Sequence, residues 1–119
     1  MSNTIYTIDK IKDVVKPIAN KYNVQSIYLF GSYARGDANE NSDLDFLVFG
    51  GDKFKLTNIF ALAEELRIAF QRQVDVFEIS EINTDSEFYS VIMNERLNVA
   101  WNIQTSNVSK KYANMPKSF

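Results

Sequence analysis

The sequence contains no cysteine and no histidine. Without cysteine there are no disulfides and no thiolate metal sites. Without histidine the commonest general base and zinc ligand is missing. Catalysis in this chain must therefore rest on Asp, Glu, Lys, Arg, Tyr, Ser or a bound hard cation. No apolar run approaches the roughly 20 residues needed to span a bilayer, and no secretory signal is visible at the N-terminus. Basic charge is not in excess either. The formal net charge is −2, with both signs dispersed, whereas a free-standing nucleic-acid binder carries a basic stripe. Lys110, Lys111 and Lys117 form only a loose cluster. These absences lead us to expect a soluble, cytoplasmic protein with no membrane contact and no direct nucleic-acid binding.

What is present suits one ordinary core. The 119 residues are 45% hydrophobic and 24% charged, with nine Phe, six Tyr and one Trp, a composition that is globular rather than disordered. No internal repeat appears. Ile8, Ile11, Val15, Ile18 and Tyr22 recur at helical spacing, with Thr7 as N-cap and Asn23 as the close. Pro17 should kink or divide that helix. Residues 26–30 read as a first strand and residues 44–49 as a second, apolar on both faces and so central. Leu56, Ile59, Phe60, Ala63, Leu66 and Phe70 outline an amphipathic helix, followed by a third strand over residues 74–79. Thr84 and Glu87 form a capping box for a helix through Ile92. Leu97, Val99, Trp101 and Ile103 alternate as an edge strand. The order is that of a small α/β layered domain over residues 1–104, with a polar tail over 105–119.

The chemistry concentrates between Phe30 and Phe49, F-G-S-Y-A-R-G-D-A-N-E-N-S-D-L-D-F-L-V-F. Gly31 lets backbone approach a ligand closely, and Ser32 adds a hydroxyl in reach of a phosphate oxygen; the pair also reads as a simple turn with a Ser N-cap. Asp43 and Asp45 sit at the mouth of the second strand and share a side. Strand interiors disfavour Asp, and two on one face repel unless a cation neutralises them. Alternatively, Asp43 caps the loop and Asp45 pairs with Arg35. Asp75 adds a third carboxylate, which can lie beside Asp45 if the second and third strands are neighbours; alone it reads as a turn residue at a strand start. Three carboxylates near a phosphate turn suggest a two-metal site for phosphoryl displacement.

Gly31-Ser32, ten residues, Asp43-x-Asp45, then Asp75 in a later strand resembles the DNA polymerase β-like nucleotidyltransferase superfamily. The fuller run resembles its smallest members, the minimal nucleotidyltransferases (MNT domains), in which position 33 varies. The resemblance covers the chain from the first helix to the fourth strand and implies a mixed sheet of about four strands flanked by helices. It further implies that Asp43, Asp45 and Asp75 ligate two Mg²⁺ ions, and that Gly31 and Ser32 hold the phosphates of ATP. Arg35 would contact the triphosphate or serve as a structural partner of a nearby carboxylate. Such proteins act as antitoxins beside HEPN-family RNase toxins, some by transferring AMP to a toxin tyrosine. The expectation is thus a Mg²⁺-dependent protein adenylyltransferase in a hetero-oligomer with its toxin. Neutralisation by binding alone, or transfer to a small molecule of the aminoglycoside kind, are the alternatives.

Overall fold

Thr7 opens the first helix as the sequence predicts: its hydroxyl oxygen accepts the Lys10 N–H at 3.1 Å, filling one of the unpaired donors of the first turn. In the computed structural model, which describes residues 4–101, this helix is α1, Ile8–Lys21. It is followed by β1 (Ser26–Phe30), α2 (Ser32–Arg35), β2 (Leu44–Phe49), α3 (Ile59–Phe70), β3 (Val74–Glu78), α4 (Glu87–Glu95) and β4 (Leu97–Trp101). Ile103 and the polar segment 105–119 lie outside the described residues.

The sheet runs in the order β3-β2-β1-β4. β1 is antiparallel to β2 and to β4, while β2 and β3 are parallel. A parallel neighbour needs a crossover, and α3 supplies it. One face packs against α1 and α3 through Ile11, Val15, Leu29, Phe46, Leu62, Leu66 and Phe70. The other carries a smaller cluster under α4, with Tyr28, Phe30, Leu47, Phe49 and Ile92. This is the mixed α/β sheet flanked by helices that the family resemblance implies, with β2 central and β4 at an edge as the strand patterns suggest.

Three local expectations are corrected. Pro17 lies inside α1 without dividing it. The proline is on the exposed side, where the carbonyl it leaves unpaired meets water, while Ile11, Val15 and Ala19 pin the opposite side to the sheet. The cap of α4 is Ser86, whose side chain accepts the Tyr89 N–H at 3.0 Å, and not Thr84. Asn83 Oδ1 takes the Asp85 N–H at 2.9 Å, which places Thr84 in the preceding turn, and the helix runs on to Glu95. Residues 56–58 form a 3-10 turn ahead of α3. The buried stripe of α3 is Leu62, Leu66 and Phe70, while Phe60 is 82% exposed. Among the described residues no helix is long and apolar enough to cross a membrane.

Candidate active site

Sheet register assembles the site. The antiparallel β1–β2 pair sets Phe30 opposite Asp45, so the turn leaving β1 begins where the acids of β2 enter. Gly31 takes φ +76° there, a left-handed value that favours glycine. A Cβ at this position would run into Asp45 Oδ2 and come within 3.2 Å of its Cγ, so only glycine brings this backbone against the carboxylate. The parallel β2–β3 pair then sets Asp45 beside Asp75, on strands about 4.8 Å apart. Asp43 stands exposed one step before β2. The loop before it is closed by its own residues: Asn39 N–H donates to Ser42 Oγ and Asn41 N–H to Asn39 Oδ1, each at 2.8 Å. Among the described residues Asp43 makes no hydrogen bond, so it is not the loop's cap.

Burial pushes the Asp45 carboxyl up to about 6 from its ordinary value, and the negative charges of Asp75 and then Asp43 push the same way. A hydrogen bond with Asp75 adds to the rise, and Arg35 opposes it. This is a carboxyl crowded by like charge. Among the described residues no three Asp, Glu, His or Cys side chains are arranged as a ready metal cluster. The donors are nonetheless all carboxylate oxygens, the type that hard divalent cations take, and the Asp45–Asp75 pair is held fixed by two strands. In donor type the residues fit Mg²⁺.

Arg35 does not form an ion pair with Asp45. Its Nε donates to Asp37 Oδ2 at 3.3 Å, and its Nη1 to Glu95 Oε1 at 3.3 Å. Glu95, at the end of α4, also accepts the Gly31 N–H at 2.8 Å. Among the described residues the N–H and Oγ of Ser32 have no partner, so the turn keeps these donors open. Arg72, just before β3 and 8% exposed, donates to Tyr33 Oη at 2.9 Å and to the Ser42 carbonyl at 3.2 Å. It thereby ties the residue after Ser32 to the residue before Asp43. Tyr33, a position without weight in the motif, is buried in the main apolar core, and its hydroxyl receives this bond. Sequence reasoning missed Glu95, Arg72 and the role of Tyr33, because each acts through a partner at least 30 residues away and none belongs to a motif.

Asp75 also lines a cavity of about 390 Å³ between the start of α3 and β3, with Leu56, Phe60, Val76 and Glu81. A larger one of about 510 Å³, bounded by Arg67, Ile68, Gln71, Arg72 and Gln73, contains none of the acids.

Residues 11–100 match the family described as Polymerase beta, Nucleotidyltransferase. A Methanocaldococcus jannaschii protein, provisionally named a protein adenylyltransferase, is 37% identical over 76 residues, which are 64% of this chain and 82% of that protein. The protein adenylyltransferase MntA of Shewanella oneidensis is 36% identical over 61 residues, 51% of this chain and 44% of MntA. Among solved structures, a toxin–antitoxin with AMP-PNP superposes with TM-score 0.65 at 24% identity, over 80% of this chain and 77% of that one. A complex of a tri-AMPylated Shewanella oneidensis HEPN toxin with its MNT antitoxin gives TM-score 0.61 at 21% identity, over 82% and 75%. At these identities the two structures speak for the fold. The match over residues 11–100, on a chain whose glycine turn meets the Asp45–Asp75 pair at one end of the sheet, decides the family: this chain belongs to the Polymerase beta nucleotidyltransferases.

Proposed function

We propose that this protein transfers AMP from ATP to a tyrosine hydroxyl of a cognate HEPN-family toxin and so acts as its antitoxin. The observation that carries the reading is the Asp45–Asp75 register pair against Gly31. Two carboxylates forced together at the end of a sheet are unfavourable for folding alone, and they make sense as ligands of a cation–triphosphate complex. Relatives named protein adenylyltransferases supply the substrate class, and the complexes of an MNT antitoxin with a HEPN toxin supply the partner.

In this reading Asp43, Asp45 and Asp75 hold two Mg²⁺ ions, which when bound neutralise the triphosphate and acidify the attacking hydroxyl. The chain's own groups do the rest. Ser32 offers its N–H and Oγ to the β- and γ-phosphate oxygens, and Arg35 adds a positive charge at the rim. The turn fixed by Gly31 lies against Asp45, so a triphosphate held on it would come up against that carboxylate. The acceptor oxygen attacks that phosphorus, the bond to the bridging oxygen breaks, and pyrophosphate leaves with its charge. The hydroxyl proton passes to solvent or to a carboxylate of the site. Without histidine in the chain, no imidazole base competes for that role.

The test incubates the protein with Mg²⁺, ATP and the HEPN protein encoded beside it, and reads the toxin's mass. Wild type should add adenylyl groups to the toxin. Asp43→Asn combined with Asp45→Asn should lower transfer by at least about a thousandfold, the scale of losing the charge stabilisation of the transferred group. Full toxin neutralisation by that double variant would replace enzymatic inactivation with neutralisation by binding.

A further inference from the structure

Glu95 closes α4, and its carboxylate reaches back to the phosphate turn across 64 residues of sequence. Its Oε1 accepts the Gly31 N–H at 2.8 Å and Arg35 Nη1 at 3.3 Å, and its Oε2 lies 3.4 Å from the same nitrogen. An anionic side chain thus sits on two of the donors that a triphosphate would use. We propose that Glu95 is an internal stand-in for nucleotide phosphate, displaced from Gly31 and Arg35 when the triphosphate enters. The proposal rests on reading the Gly31–Ser32 turn as the phosphate site, and it adds a residue outside the motif to that site.

The physical reason is competition for the same donors. One backbone N–H at 2.8 Å serves one acceptor well, and a carboxylate left beside a triphosphate repels it. The Glu95 side chain is only 18% exposed, so its hold on the turn is less screened by water than a surface pair. Ser32 is the complement: with its N–H and Oγ open among the described residues, it makes the first contact, and Glu95 yields second. Before nucleotide arrives, Glu95 keeps the left-handed Gly31 turn and Arg35 in place.

The stand-in role and a plain structural role predict opposite signs. Glu95→Gln keeps an acceptor for Gly31 but removes the competing charge, and Glu95→Ala removes both. Binding of Mg·ATP to the full chain, measured by calorimetry, should tighten about tenfold in Glu95→Gln, the scale of one charge-assisted hydrogen bond after exposure is allowed for. Glu95→Ala should also bind more tightly than wild type. In AMP transfer the KM for ATP should fall with kcat changed much less. Wild-type binding with unchanged or weaker affinity in both variants, each still folded by circular dichroism, overturns the Glu95 assignment alone. No binding of Mg·ATP by any of the three proteins overturns that assignment and the phosphate reading of the turn together.

Discussion

Asp45 is the residue at which folding and function pull apart. An ordinary aspartate titrates near 4, whereas burial and two neighbouring carboxylates raise this one to about 6. The folded chain therefore holds the Asp45 proton more tightly than the unfolded chain does. That contribution to stability is fully present below about pH 4 and is lost as pH rises through about 6. Asp45→Asn cannot ionise and escapes the loss. In chelator-treated protein it should be more stable than wild type by about 1 kcal/mol at pH 7.5, after solvent screening is allowed for, and no more stable at pH 4. Urea unfolding at the two pH values measures this, and equal differences at both would remove charge crowding as the cause. Gly31, Ser32, Asp43, Asp45 and Asp75 were visible in the sequence because each is a polar or flexible residue set against apolar strands. Glu95 was invisible because a helix-ending glutamate resembles any solvated one until Gly31 is folded against it.

Elements are tied to each other by buried polar groups as much as by their apolar sides. Glu78, at the end of β3, is 1% exposed. Its Oε2 accepts the Gly50 N–H at 3.0 Å and its Oε1 the Ser80 N–H at 2.8 Å, with the Ser80 hydroxyl also donating to Oε1. It thus fastens the turn after β2 to the end of its parallel neighbour, and helps hold the register that pairs Asp45 with Asp75. Glu78→Ala should destabilise the fold by on the order of 3 kcal/mol, because the buried Gly50 N–H loses a charged acceptor. Chemical denaturation reads this, and a loss below about 1 kcal/mol would mean that water replaces the carboxylate. Helix ends show the same division between local and distant control. Thr7 was legible as a cap because capping is local. The Thr84–Glu87 box failed because Asn83 and Ser86 offered a second local solution that only packing of α4 on the sheet could select. Pro17 does not divide α1 because this helix is held by tertiary packing rather than by propensity.

At the scale of the whole molecule, two cores on opposite faces of one sheet decide which apolar residues matter. Leu66, fully buried between α3 and the sheet, should cost about 2–5 kcal/mol when cut to alanine. Phe60, earlier on the same helix and 82% exposed, should cost no more than about 0.5 kcal/mol as Phe60→Ser. Thermal melts of the two variants check the contrast, and comparable losses would show that α3 packs in a different phase. The sequence by itself determined the order of helices and strands, the central place of β2, and the residue types of the site. Periodicity, turn chemistry and misplaced charge are local properties of a chain. Only the tertiary structure decided the phase of α3, the Asp45–Asp75 register, the absence of an Arg35–Asp45 pair, and the grip of Glu95 on Gly31. Those depend on which distant segments meet, and strand pairing and side-chain competition for a shared donor are settled only when the sheet closes.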